Sequence, residues 1–295
     1  MMECNVKANS FKAWVLAARP KTLAAASVPV IIGSALAVGD GKFSFVPFAL
    51  CLLFAFIMQV AANFINDLYD YRKGSDREDR LGPERACAQG WITPGAMLRG
   101  IFAAVVLACV CGVWLVLYGG WWLVGVGAVC VAAAFLYTIG LSYMGLGDVL
   151  VLVFFGVVPV CCTYYVQAGD VTPAVLAASL ASGLVIDTLL VINNFRDIEA
   201  DRKSGKKTII VRFGYAFGLY LYLFLGIAAV LLCMAFLCDG HLAAALLPLL
   251  YLPPHFMAWR SMKKIGRGRE LNAVLGKTSR NMLLFALLIL AGFMV

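Results

Sequence analysis

Apolar runs of membrane length recur along the whole chain, separated by short polar clusters where glycine, proline and charge collect. Nine runs come close to the roughly 20 residues that an α-helix needs to cross a bilayer. They cover 20–39, 44–68, 95–118, 121–139, 147–166, 173–194, 214–237, 241–259 and 278–295. Only the Gly119-Gly120 turn separates the third run from the fourth, which leaves room for one of them to tilt or re-enter. No long polar linker interrupts the series, so a single domain over 1–295 is expected.

Composition agrees with the pattern. Of the 295 residues 63% are hydrophobic and 14% charged, and the mean hydropathy is +0.90. A water-soluble core of this length does not bury so much apolar surface, so the fold expected is all-α and polytopic. The opening MMECNVKANSFKAW has no basic stretch, apolar run and cleavage site in series, so targeting is expected through the first membrane helix. The 10 cysteines form no CxxC pair, and His241 and His255 join no thiol cluster, so neither a zinc site nor a disulfide framework is indicated.

Charge orients the model. With the N-terminus inside, every Lys and Arg except Lys42 falls on the inner side of the nine spans. That is the asymmetry of a cytoplasmic face. The net charge of +8 therefore sits beside anionic headgroups of the lipid bilayer, and needs no nucleic acid to explain it.

The acids are gathered rather than spread. Asn66, Asp67, Asp70 and Asp76 close the second span; Asn193, Asn194, Asp197 and Asp201 close the sixth. Both groups fall on the inner side, so they can meet across a cytoplasm-facing cavity. Asn66 with Asp70 is an i, i+4 pair, and Asn194, Asp197 and Asp201 follow at i, i+3 and i+7, so each helix turns several oxygens to one face. Carboxylates at a helix C-terminus oppose the macrodipole and repel one another, and a bound cation relieves both. Oxygen donors without His or Cys suit Mg2+. Glu78, Asp79 and Glu84 read instead as solvated acids paired with arginine.

Cations are interleaved with both groups: Arg72 and Lys73 after the first, Arg196, Lys203, Lys206 and Lys207 around the second. Aspartate, Mg2+ and Lys or Arg together hold a polyphosphate. No Walker A stretch occurs, so a nucleotide triphosphatase is not suggested. A diphosphate on a lipid-soluble tail suits a site that opens from the membrane.

At these residues the chain resembles the UbiA superfamily of intramembrane aromatic prenyltransferases, through NDLYD at 66–70 and DIEAD at 197–201. The resemblance covers essentially the whole chain and implies nine transmembrane helices. The stretches ARPKTLAAASVPVIIGSALA (18–37), NDLYDYRKGSD (66–76), GPERACAQGWITP (82–94) and NNFRDIEADRKSGKKT (193–208) are similar to the branch that prenylates 1,4-dihydroxy-2-naphthoate in menaquinone synthesis. The commoner superfamily form has an acid four residues after Asp70. Here that position is Gly74 and the acid is Asp76, as in the naphthoate branch.

What this resemblance implies is Mg2+-dependent transfer, with two ions, of a polyprenyl group from polyprenyl diphosphate to an aromatic acid acceptor with decarboxylation. It makes Asp67, Asp70, Asp197 and Asp201 catalytic and Asn66, Asp67, Asp70, Asp76, Asp197 and Asp201 metal ligands, with Asn194 a further candidate. Arg19, Lys21, Lys73, Arg85, Arg196 and Lys206 would meet the diphosphate or the aromatic acid. Tyr69, Tyr137, Tyr143 and Trp91 could shield an allylic cation. Asp187, inside the sixth span, and Asp148, at the start of the fifth, are further candidates because an intramembrane acid is costly. The alternatives are a UbiA-type enzyme for 4-hydroxybenzoate or homogentisate, and a membrane transporter. A transporter would place its polar residues near the midplane rather than at one face.

Overall fold

The computed structural model describes residues 6–74 and 81–295. Asp76, together with Arg77, Glu78, Asp79 and Arg80, lies outside the described residues, so the expectation for its carboxylate has no structural counterpart. Among the described residues, nine helices are long and apolar enough to cross a membrane. They are α1 (Phe11–Gly39), α2 (Phe45–Arg72), α3 (Pro94–Gly119), α4 (Trp122–Leu141), α5 (Gly147–Ala168), α6 (Pro173–Lys203), α7 (Ile209–Asp239), α8 (Leu242–Ile265) and α9 (Leu271–Phe293). Each contains most of one apolar run read from the sequence. The main differences are polar extensions: α1 starts earlier, α2 runs on to Arg72 and α6 to Lys203. With the last two, α2 and α6 carry both acidic motifs on continuous helix.

Several ends follow local rules. Thr93, Thr172 and Thr208 cap α3, α6 and α7 by accepting the backbone N–H of Ala96, Val175 and Val211. Pro94 and Pro173 occupy the first helical position, where the missing N–H costs nothing. Gly74 takes φ +63° and turns the chain out of α2.

α1 packs on α2, α5, α6 and α9, and α6 packs on α1, α5, α7 and α9. α1 and α6 are consequently the most buried spans. Contact of α9 with α1 brings the last span back to the first. The close crossing of α5 and α6 needs small residues: a Cβ on Gly156 would collide with the Ser179 carbonyl and the Gly183 backbone. By contrast, residues Trp122–Leu136 of α4 include none that is fully buried. This span borders a cavity instead of filling the core.

Three irregularities shape the motif-bearing end. α1 is broken by Arg19 in the left-handed region at φ 52°, followed by a 3-10 turn over Pro20–Thr22. The break frees the Ala18 carbonyl, which accepts Asn63 Nδ2 at 2.9 Å, and Asn63 Nδ2 also reaches Thr22 Oγ1 at 2.9 Å. α4 ends in a π-helical turn, Tyr137–Leu141, and α5 contains another at Val153–Val157. Such turns widen a helix locally and often accompany functional sites.

Candidate active site

Two cavities meet inside the bundle. The polar one, about 260 Å³, is lined by Asn66 and Asp70 from α2 and by Asn194, Asp197 and Asp201 from α6. Arg19, Arg85, Arg196, Lys206, Tyr137 and Asp148 also line it. Both acidic motifs therefore converge, as their shared face required. The apolar cavity, about 380 Å³, runs between α1, α2, α4, α5 and α6 past residues such as Met58, Val126, Phe154 and Ile186. Thr22, Asn66, Tyr137, Leu190 and Asn193 line both and form the seam between them.

Three acids of the polar cavity, Asp70, Asp197 and Asp201, stand opposite cations. Arg85 Nη2 lies 2.6 Å from Asp70 Oδ2, and both side chains are nearly buried. Arg196 grips its neighbour Asp197 with Nε at 2.8 Å and Nη2 at 2.6 Å, a two-pronged pair. Successive helix positions point about 100° apart, so the guanidinium wraps sideways to reach the carboxylate. Lys206 Nζ stands 3.9 Å from Asp201 Oδ1. Buried charge is tolerated only when paired in this way.

Asp67 departs from the expected ligand set. It is fully buried, and its two oxygens accept the backbone N–H groups of Ala86 and Cys87 at 2.8 Å each. Arg19 Nη2 is 3.7 Å away. The carboxylate thus faces the strap formed by residues 81–93 and is not among the side chains lining the polar cavity. The strap is a single bonded turn: Gln89 N donates to Arg85 O and Trp91 N to Ala86 O. Ala86, Cys87 and Ile92 bury their side chains against Phe64, Ile65 and Leu68 of α2. Asp67 and these apolar contacts hold the strap, and the strap presents Arg85.

Two predicted diphosphate ligands also sit elsewhere. Lys21 is exposed on the 3-10 turn of α1. Lys73 Nζ donates to the carbonyls of Thr138 and Ile139 at 3.1 and 2.8 Å, groups that the π-turn leaves available. It also lies 4.1 Å from the Tyr143 ring, which Lys206 approaches at 5.2 Å. Thr138 donates its hydroxyl to Asn66 Oδ1. Lys207 N donates to Tyr143 O at 3.0 Å, and Gly145 is needed because a Cβ there would strike the Lys207 carbonyl. Tyr137 faces both cavities, whereas Tyr69 and Trp91 pack around the strap.

Asn272, at the start of α9, is a contributor that sequence reasoning missed. Its Oδ1 accepts Arg196 Nη1 at 2.7 Å and its Nδ2 donates to the Leu81 carbonyl at 2.9 Å. A lone asparagine beside GRGRE offers no motif, and only long-range geometry reveals it. Asp187 is buried in α6, and neither its Oδ1 nor that of Asp148 has a hydrogen-bond partner among the described residues.

The donor set can be tested against a divalent cation. Among the described residues, no group of three acidic, His or Cys side chains is already gathered for a metal; Asp70, Asp197 and Asp201 each face a base instead. The chemistry nevertheless fits Mg2+: Asn66, Asp70, Asn194, Asp197 and Asp201 offer oxygen alone around one cavity.

Comparison with known proteins points the same way. The model of the UbiA prenyltransferase family matches residues 26–283. The 1,4-dihydroxy-2-naphthoate octaprenyltransferase of Escherichia coli (strain K12) is 42% identical over 212 residues, 69% of this chain and 69% of that protein. Its Mycobacterium tuberculosis (strain ATCC 25618 / H37Rv) counterpart is 37% identical over 287 residues, 94% of this chain and 95% of that one. A solved structure of a UbiA homolog from Archaeoglobus fulgidus, bound to DMAPP and Mg2+, superposes with TM-score 0.68 at 16% identity, covering 96% of this chain and 99% of the other.

Proposed function

The chain belongs to the UbiA prenyltransferase family, and from that premise we propose that it moves a polyprenyl group from a polyprenyl diphosphate to 1,4-dihydroxy-2-naphthoate. The acceptor loses its carboxylate and the product is a demethylmenaquinol. The observation that carries this reading is the seam: a charged cavity and an apolar cavity share Thr22, Asn66, Tyr137, Leu190 and Asn193. A molecule with an anionic head and a hydrocarbon tail suits that pair of spaces. The identity of the acceptor rests on the naphthoate-prenylating relatives.

In the mechanism that follows, the carboxylates and the basic side chains exchange partners. Asp70, Asp197 and Asp201, with Asn66 and Asn194, would turn their oxygens to metal. Arg85, Arg196 and Lys206 would then turn from those carboxylates to the diphosphate oxygens. Two Mg2+ ions, when bound, neutralise the diphosphate and make it a better leaving group. The allylic C–O bond breaks and its electron pair leaves with the diphosphate. A ring carbon of the acceptor supplies the pair for the new C–C bond, and departure of CO2 returns a pair that restores aromaticity. Tyr137, which lines both cavities at the seam, would face the carbon that becomes cationic. Asp67 keeps the strap and Arg85 in place throughout and is assigned no metal.

The whole chain, 1–295, would act as one prenyltransferase domain in the bacterial inner membrane. The N-terminus and the motif-bearing face are assigned to the cytoplasm by the distribution of Lys and Arg. The test is an acceptor panel with membranes, polyprenyl diphosphate and Mg2+. Product is expected with dihydroxynaphthoate alone, and EDTA is expected to abolish it. Equal or better turnover of 4-hydroxybenzoate or homogentisate would overturn the acceptor assignment, and no Mg2+-dependent transfer to any acceptor would overturn the enzyme reading.

A further inference from the structure

The strap and the second motif are joined through one side chain that belongs to neither. Asn272 lies in the first turn of α9, 191 residues from its partner Leu81. A primary amide has an accepting oxygen and a donating nitrogen, and here both are committed. The oxygen meets the Arg196 guanidinium and the nitrogen meets the Leu81 carbonyl. The two ends are not interchangeable, because a guanidinium only donates and a carbonyl only accepts.

On the far side of each contact stands a group facing the polar cavity. Arg196 holds Asp197 through its other two nitrogens. Leu81 opens the strap, which Asp67 pins at Ala86 and Cys87 and which brings Arg85 to Asp70. An unbroken hydrogen-bonded path therefore leads from Asp197 through Arg196 and Asn272 to the strap. It links the second acidic motif to the base that serves the first.

We propose that Asn272 is a positioning residue that sets the separation of the Arg85 and Arg196 guanidinium groups, so that both can reach one diphosphate. The proposal rests on the prenyl-diphosphate reading above. Two cations that close on one small polyanionic group gain from pre-organisation, and a displacement of about 1 Å costs on the order of a hundredfold in reactions that depend on such alignment. Removing the amide frees one end of the strap and one nitrogen of Arg196 at once. A merely structural asparagine would satisfy the Leu81 carbonyl and have no preference between substrates.

The experiment uses the full-length protein in detergent, with Asn272→Ala and Asn272→Asp. Aspartate keeps an acceptor for Arg196 but sets a carboxylate oxygen against the Leu81 carbonyl. The probes are an unreactive geranyl thiolodiphosphate with Mg2+, steady-state kinetics in both substrates, and hydrogen exchange of the strap amides. For Asn272→Ala, Kd for the probe and KM for prenyl diphosphate should each rise about tenfold, consistent with loss of a hydrogen bond to a charged group. KM for the aromatic acceptor should stay within about twofold, and Ala86 and Cys87 amides should exchange about tenfold faster. Asn272→Asp should speed strap exchange equally and weaken the probe by a smaller factor. Should Asn272→Ala fail to fold, Asn272→Asp decides by the same readouts. Unchanged strap exchange with unchanged probe affinity overturns the proposal, as does an equal rise in both KM values. Wild-type protein that binds no probe with Mg2+ would overturn the prenyl-diphosphate reading instead, while strap exchange would still report on the Asn272 contacts.

Discussion

The two acidic motifs are built differently. On α6, Asp197 takes its counterion from the adjacent Arg196, and Asp201 takes Lys206 from just past the same helix. On α2, Asp70 relies on Arg85, which arrives on a separate segment, and Asp67 is spent on holding that segment. The second half-site is assembled by its own helix, whereas the first is assembled by a strap that must be docked. The lesson is that similar motifs can divide labour: α6 supplies two cavity-facing acids, and α2 supplies one plus an anchor.

The sharpest way to break this comparison is to remove the cavity-facing acid of each half. Asp70→Ala and Asp197→Ala should each lower transfer by about 10³-fold or more, the scale of losing a principal electrostatic group. A milder effect from either would mean that the halves are not equivalent at the metal. The next effect separates the halves. Arg196→Lys should weaken prenyl diphosphate binding by about ten- to a hundredfold, because an ammonium cannot fork onto Asp197 and still reach Asn272.

Asp67→Asn should behave unlike either. It puts an amide nitrogen against one strap N–H, so it removes a buried charge-assisted hydrogen bond worth about 1.5–3 kcal/mol. The expected signature is a melting point lower by about 3–6 °C, whereas Asp201→Asn should lower turnover with the melting point nearly unchanged. Equal melting points would show that Asp67 does not anchor the strap. The smallest effect is assigned to Lys73→Met: less than about threefold in KM for prenyl diphosphate, since the ammonium is already committed to carbonyls and a ring. Lys206→Met should exceed it.

The spans and the two motifs were legible because both are local. Hydropathy reports a helix over about 20 consecutive residues, and i, i+3 and i+4 spacing reports a shared face. That logic placed Asn66, Asp70, Asn194, Asp197 and Asp201 around one cavity, where the structure has them. Asp67 stands apart: spacing groups it with Asp70, but its environment is set by backbone N–H groups 19 and 20 residues away. The contacts of Lys73 were not legible either, because a π-turn that exposes carbonyls has no clear sequence mark. Spacing also missed Asn272, whose partners come from α6 and the strap. Charge near a motif was read as charge on the ligand, but in a closely packed site much of it serves other protein groups.

The seam of Thr22, Asn66, Tyr137, Leu190 and Asn193 has a consequence for what happens after a bond is cut there. It is a phase boundary within one molecule, with an aqueous compartment on one side and an oil-like one on the other. For a reaction that releases an anion from a hydrocarbon chain, the anion is already on the polar side and the chain on the apolar one, with the cationic carbon at the seam between them. Recombination would have to carry one of them back across the interface, and water, the competing nucleophile, is concentrated on the wrong side to reach the cation first.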